Sequence, residues 1–363
     1  MQAKPLHILV SPLDWGLGHA SRCIPIIQQL NQVGHEITIA GHGRSLILLQ
    51  KEFPLLKSIE FQGFSPNYSR SGNMVLALLF LLPQFISKTW NEHKFLKKLI
   101  AKHNFDVIIS DNRYGLWHKK TKSILITHQV MIKTPGWLRF AEYIIYRVSR
   151  MLISRFDECW IPDTSESPGL SGDLSHKYSL PENAVFIGPL SRFEQSDTQD
   201  ETHYGKENIA VIISGPEPQR SIFKKLVTKQ LKELKLSATI MSGKPESEKP
   251  AVIDGNLTIL PHLDTEAFRS VINSSALVIC RSGYTSIMDL RALGAKALFV
   301  PTPGQTEQIY LAELHQNTAT ALYRSQDDLN LKSDISEALT YTGFNNKQVW
   351  LNLITAIGNL KKK

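Results

Sequence analysis

The chain has 363 residues, 42% apolar and 20% charged, with 41 Lys and Arg against 33 Asp and Glu for a formal charge of +8. That length accommodates two domains of ordinary size, and the composition excludes a disordered or fibrous chain. The positive balance suits an anionic partner. The basic residues are dispersed and match no zinc-finger or homeodomain spacing, so phosphorylated metabolites and acidic lipid headgroups rank ahead of nucleic acid.

In chain order, residues 6–10 (LHILV) read as a first strand, residues 19–30 as a helix and residues 35–40 (HEITIA) as a second strand. Short apolar runs at 105–109 (FDVII), 123–127 (SILIT) and 157–161 (DECWI) extend the pattern. Continuous apolar strands alternating with helices predict a parallel sheet covered on both faces. Residues 191–207 are polar and aperiodic, which predicts a linker. The alternation restarts with a strand at 208–213 (NIAVII), a helix over 219–234, and strands at 236–241, 256–260, 276–280 and 296–300. Helix starts fall near Asp264, Gly283 and Gly304, and residues 345–360 have helical periodicity. The predicted class is α/β, with two Rossmann-like parallel-sheet domains facing across a cleft. The first covers residues 1–190 and the second residues 208–343, with a helix in 344–363 packing back on the first domain.

Two stretches interrupt this plan. Residues 74–82 (MVLALLFLL) are nine consecutive apolar residues, read either as a buried helix segment or as an exposed lip for membrane or a greasy substrate. Residues 135–155 place Leu138, Ala141, Ile145, Val148 and Leu152 at helical spacing among Arg139, Arg147, Arg150 and Arg155. That pattern suits an ordinary surface helix or an interfacial helix on anionic lipid. Cys23, Cys159 and Cys280 stand far apart, and the 12 histidines lack ligand spacing, which argues against a disulfide framework or metal cluster. The first residues do not form a secretory signal, and no apolar run approaches the ~20 residues of a membrane span, so the expected location is cytoplasmic, with peripheral contact at the inner membrane face.

The stretch D14-W-G-L-G-H-A-S-R22 follows the first strand. Gly16 and Gly18 permit a sharp turn and close approach of a ligand, and a helix starting near His19 aims its positive end into that loop. His19 is then either a general base at the carboxyl edge of the sheet or a residue that caps the helix. Asp111, just beyond the strand at 105–109, stands at the same sheet edge, where it could orient His19 or cap its own turn. In the second half, Ser214 and Gly215 open a turn weakened as a phosphate nest by Pro216 and Pro218. C280-R-S-G-Y-T-S-I-M-D289 offers Gly283 for close approach, the hydroxyls of Ser282 and Thr285, and Asp289 for a pair of sugar hydroxyls. Gln305, Glu307 and Gln308 form a polar cluster after the next strand.

These motifs resemble the two-domain glycosyltransferases called GT-B, especially the branch of the lipid-linked peptidoglycan precursor N-acetylglucosaminyltransferase and the UDP-sugar transferases. The resemblance implies that Asp289 holds the ribose, Gln308 the donor sugar, and Ser282, Gly283 and Thr285 the diphosphate, with Ser214 and Gly215 near it. His262 and Leu263 would meet the base, and Arg281, Gln305 and Glu307 complete the donor set. Gly16, Leu17, Gly18 and His128 fall to the acceptor side. His19, paired with Asp111, would deprotonate the acceptor hydroxyl in an inverting transfer. The family usually carries glutamate at the position of Asp289 and asparagine at that of Leu311, so strict equivalence with the peptidoglycan enzyme is not implied. No Asp-x-Asp motif stands at a strand end, so no metal or cofactor is expected beyond a nucleoside-diphosphate-sugar, most simply a UDP-sugar. The expected acceptor is lipid-linked, a glycan or a small molecule, and nucleic acid is not expected as a partner. A UDP-N-acetylglucosamine 2-epimerase-like or sugar-nucleotide hydrolase activity, and a non-catalytic nucleotide- or glycan-binding role, are the alternatives.

Overall fold

The computed structural model describes residues 4–63, 74–193, 208–247, 249–345 and 351–363, with backbone only for 74–82 and 351. The linker reading at 194–207 and the side chains of the apolar run at 74–82 lie outside the described residues. The chain divides into two compact units, the first comprising residues up to 190 together with 351–363, the second residues 191–345.

The first unit runs β1 (His7–Pro12), α1 (Leu17–Gln32), β2 (Glu36–Gly41), α2 (Gly43–Glu52), β3 (Lys57–Glu60), α3 (Met74–His103), β4 (Val107–Asp111) and β5 (Lys122–Ile126). It continues through a 3-10 turn (Gly136–Leu138), α4 (Ala141–Ile153), β6 (Glu158–Ile161), α5 (Asp173–His176) and β7 (Ala184–Phe186). Its strands form one parallel sheet of order β3-β2-β1-β4-β5-β6-β7. Every residue of β4 is buried, as expected of a strand with both faces covered.

The second unit runs β8 (Asn208–Ile212), α6 (Gln219–Glu233), β9 (Ala238–Met241), β10 (Val252–Asp254), β11 (Leu257–Leu260), α7 (Thr265–Asn273) and β12 (Ser275–Cys280). It ends with α8 (Tyr284–Ala292), β13 (Ala297–Phe299), α9 (Thr306–Asn317), β14 (Leu322–Tyr323) and α10 (Leu331–Thr340). The sheet order is β10-β11-β9-β8-β12-β13-β14, parallel except for the antiparallel edge pair β10 and β11. Asp264 caps α7 by accepting from the Ala267 amide at 2.8 Å. The last helix, α11 (Leu351–Gly358), packs on α1 in the first unit, where Lys362 and Lys363 pair with Asp106 and Asp157.

Both sheets reverse direction beside their first strand. β1 is followed by β2 on one side and later flanked by β4 on the other; β8 is flanked likewise by β9 and β12. Ligands in such sheets bind beyond the carboxyl ends of the strands at this reversal. Register puts Pro12 opposite Asp111 in the first sheet and Ile212 opposite Cys280 in the second. Loops more than sixty residues apart in sequence therefore meet at each reversal.

Three features depart from the expectation drawn from sequence. Helix α1 starts at Leu17, so His19 is its third residue rather than its cap. Ser191, Arg192 and Phe193, expected in a solvated linker, are buried in the second unit. The helix expected across 135–155 is a 3-10 turn followed by α4, and it buries Glu142, Tyr146, Ser149 and Ile153 instead of the stripe through Ile145 and Val148.

The loop after β4 packs against α3 without room to spare. A Cβ on Gly115 would lie 2.5 Å from the Thr89 carbonyl oxygen and 2.8 Å from Glu92 Cβ. Gly115→Ala is therefore expected to cost about 1–3 kcal/mol through overpacking. A lower urea midpoint at unchanged m-value would register it, and an unchanged midpoint would show that the loop yields.

Candidate active site

In the first unit, Asp14 fixes the glycine loop. Its carboxylate accepts from the His42 amide at 3.1 Å and the Gly63 amide at 2.8 Å, so the loop after β1 is tied to those after β2 and β3. Gly16, at φ 156° and ψ 173°, occupies a region essentially reserved for glycine, and no side chain caps the helix behind it. Leu17 and Gly18 form the first turn of α1 and are half-buried. His19 comes next with 19% of its side chain exposed, its Nδ1 2.9 Å from Asp111 Oδ1.

Asp111 is fully buried. Arg22, one helical turn beyond His19, grips both its oxygens, Nε on Oδ2 and Nη2 on Oδ1. Burial alone would raise the Asp111 carboxyl; the Arg22 guanidinium and His19 outweigh it and hold the group at about 2. Arg22 Nη1 lies 3.2 Å from Nδ1 of the buried His128. Arg22 was missed in the sequence, although its i+3 spacing from His19 was a signal. A second buried arginine, Arg113, bonds Glu92 at 3.1 Å, Ser11 at 2.9 Å and the Phe61 carbonyl at 3.0 Å, bracing the same sheet edge.

In the second unit, the glycines flank open space. A Cβ on Gly283, at the start of α8, would meet no atom within 4 Å, and no side chain caps that helix. Gly215, at φ 99°, would find only Thr302 Oγ1, at 3.6 Å. Ser214 beside it is half-buried, as is Thr285 in the first turn of α8. The uncapped start of α8 suits a phosphate group.

Arg281 and Ser282 turn into the unit instead of towards that space. The Arg281 guanidinium donates to the carbonyls of Val300 and Pro301, both at 2.9 Å, of Gln219 at 3.1 Å, and to Gln326 Oε1 at 2.7 Å, while lying over the Phe223 ring. Burial pulls it down to about 10. Ser282 Oγ donates to the Gln308 carbonyl at 2.7 Å, and Gln308 Oε1 accepts from the Thr302 amide at 2.8 Å. These bonds make the loops after β8, β12 and β13 one braced unit. Gln305 precedes α9 and Glu307 lies in its first turn, both half-buried. His262 and Leu263 are half-buried in the loop after β11. Among the described residues, no three His, Cys, Asp or Glu side chains gather as a metal site.

Asp289 is half-buried in α8 and accepts from Ser191 Oγ at 2.7 Å. Arg192 beside it lies with its guanidinium 4.3 Å from the Phe268 ring centroid and 5.1 Å from that of Phe193. Composition hid this contact, since the segment reads as polar linker. Burial pushes the Asp289 carboxyl up to about 6 against the pull of Arg192 and Ser191.

The folded protein thus holds an Asp289 proton that the unfolded chain releases nearer 3.8. The stability contributed by that proton is full below the unfolded value and is lost as pH rises through about 6. Asp289→Asn, which carries no charge, is expected to raise stability by roughly 1–3 kcal/mol at neutral pH, the gain vanishing towards pH 4. Thermal melts across that pH range test it; a gain independent of pH would refute the cause.

Residues 211–351 match the model of the glycosyltransferase family 28 C-terminal domain, and residues 7–127 that of glycosyl transferase family 1. A protein of Methanosarcina mazei described as an uncharacterized glycosyltransferase is 27% identical over 321 residues, covering 84% of this chain and 81% of its own. The UDP-N-acetylglucosamine–N-acetylmuramyl-(pentapeptide) pyrophosphoryl-undecaprenol N-acetylglucosamine transferase of Acinetobacter baumannii is 22% identical over 313 residues, covering 83% of this chain and 79% of its own. The crystal structure of the glycotransferase of kitacinnamycin aligns over 93% of this chain and 91% of its own, with a TM-score of 0.63 at 13% identity. Two reversed parallel sheets, an uncapped helix start at each reversal and these matches identify the chain as a GT-B-fold glycosyltransferase that acts on a nucleotide-sugar donor and is related to the family 28 enzymes and the UDP-sugar transferases.

Proposed function

We propose that the chain transfers a sugar from a UDP-sugar to an acceptor hydroxyl with inversion at the anomeric carbon. The observation that carries this reading is the His19–Asp111 contact at 2.9 Å on the reversal of the first sheet. The acceptor oxygen forms a bond to the anomeric carbon as the bond from that carbon to the diphosphate breaks. The acceptor proton passes to His19 Nε2, and UDP leaves with the electron pair. Asp111 orients the imidazole through Nδ1. The start of α8 and the space at Gly283 receive the diphosphate, whose charge is met by the helix amides without a resident metal. Asp289 faces the ribose, and Gln308 keeps its amide Nε2 for the sugar while its Oε1 is held by Thr302. The name of the Acinetobacter relative supports uridine as the base.

The same reading extends to a lipid-linked acceptor at an anionic membrane surface. It is supported by α4 and the turn before it, which expose their apolar residues: Trp137 is 63% exposed, Phe140 74%, Ile144 61% and Met151 55%. Exposed Arg139, Arg147 and Arg155 flank them. An amphipathic helix with apolar residues outward and cations beside them fits the headgroup boundary of a bilayer. Among the described residues, no helix is long and apolar enough to cross a membrane.

Ligand-detected binding against nucleoside diphosphates and their sugars, followed by turnover, tests the first reading. A UDP-sugar should bind selectively, about tenfold more weakly in Asp289→Ala. His19→Ala should keep that binding and lose about 10²–10⁴-fold in turnover. Binding of no member of the panel would sink the donor assignment, and full turnover in His19→Ala the base. Sedimentation with vesicles tests the membrane reading: anionic vesicles should retain the protein at low salt, and Phe140→Ser with Trp137→Ser should release it. Equal retention on zwitterionic vesicles, or none on anionic ones, would overturn it.

A further inference from the structure

Helix α1 buries a charge among apolar neighbours. Arg22 is 1% exposed, on a helix that otherwise buries residues such as Ala20, Cys23, Ile24 and Ile27. A buried guanidinium costs several kcal/mol unless its hydrogens find acceptors. Those acceptors come from adjacent strand ends: Asp111 closes β4, and His128 lies just past β5, which pairs with β4 by setting Asp111 opposite Ile126. One side chain of α1 therefore touches the proposed base, its carboxylate and a second imidazole.

The chemistry of these groups restricts the protons. Arginine has donors only, and an ionised carboxylate accepts only. His128 Nδ1, 3.2 Å from Arg22 Nη1, must then be bare, with the His128 proton on Nε2. His19 Nδ1 lies 2.9 Å from both Asp111 Oδ1 and Arg22 Nη2. Because Nη2 already donates to Oδ1, the consistent arrangement has two donors, Nη2–H and Nδ1–H, converging on that oxygen. His19 then carries its proton on Nδ1 and leaves Nε2 bare. Were Arg22 to donate to Nδ1 instead, Nε2 would carry the proton and could not take another from an acceptor.

We infer that Arg22 is a positioning residue that holds His19 and His128 in opposite tautomers, the first bare at Nε2 and the second protonated there. The inference rests on the reading of His19 as the base. Arg22 locks both oxygens of Asp111, so the carboxylate cannot rotate away from the imidazole. A lysine keeps the charge but offers no planar fork to match a carboxylate.

Imidazole nitrogen NMR of the full chain, at mildly alkaline pH where both rings are neutral, reads the tautomers directly. Single substitutions of His19 and His128 assign the signals. The expected wild-type spectrum has His19 protonated at Nδ1 and His128 at Nε2. In Arg22→Lys both should become mixtures, and kcat should fall about 10²-fold with the donor KM within about threefold. Circular dichroism and UDP binding check that the variant is folded. A wild-type His19 protonated at Nε2 would overturn the inference without recourse to any variant, and so would unchanged tautomers and kcat in Arg22→Lys. Full turnover in His19→Ala would instead remove the base reading while leaving the tautomer assignment standing.

Discussion

The lateral pairing of β1 with β4 is the constraint on which the first unit's site depends. Because β2 lies on the other side of β1, the loop carrying Gly16 and the end of β4 carrying Asp111 open beside each other at the carboxyl edge. Hydrogen-bond register, not side-chain affinity, sets Pro12 opposite Asp111. A slip of one residue would turn Asp111 to the other face of the sheet. Helix α1 then needs only its ordinary 3.6-residue repeat to bring both His19 and Arg22 down on that carboxylate. The second unit repeats the device with β8 and β12, where Gly215 and Gly283 open on either side of the reversal.

Gathering these charges at a buried sheet edge is energetically demanding. A buried ion pair is weak support for stability, since desolvating both ions offsets most of their attraction. Arg22 and Asp111 meet that demand through a two-point fork, with His19 and His128 taking the remaining donor and acceptor directions. A chain selected for stability alone would gain from apolar residues in these positions. Keeping a fully hydrogen-bonded charge cluster at the sheet edge is better explained by the geometry it imposes on the two imidazoles. The neighbouring Arg113–Glu92 pair has a different task, joining α3 to the loop after β4 through Ser11 and the Phe61 carbonyl.

The long strands were legible because buried parallel strands are unbroken runs of Ile, Val and Leu, as in 105–109 and 276–280. Short edge strands such as β3, β7 and β14 were not, since two to four half-exposed residues carry no periodic signal. The neighbourhood of His19 and Asp111 could be read because both stand behind apolar strands at the same sheet edge. Arg22 could not, because an arginine in a helix ordinarily reads as solvent-facing. Ser191 and Arg192 were lost in a stretch whose average composition is polar. In α4 the periodicity was visible but not its direction: a moment says that a helix has two faces, and only tertiary structure says which one the core takes. Here Glu142 goes inward to meet Lys177, and Ile144 and Val148 go outward.

The two aspartates at the two reversals show how little the residue type decides. Both are shielded from solvent and both have an arginine beside them, yet Asp111 is held at about 2 and Asp289 is pushed up to about 6. The difference lies in what each guanidinium faces. Arg22 turns its fork onto the carboxylate, so two charge-assisted bonds overcome desolvation. Arg192 lies over the rings of Phe268 and Phe193, leaving Asp289 the Ser191 hydroxyl and a more distant positive charge. The first arrangement yields a permanent anion, which suits a group that must hold an imidazole in one orientation through every turnover. The second yields a carboxyl whose charge responds to its surroundings near neutral pH, which suits a group that must exchange a protein hydroxyl for those of a ligand.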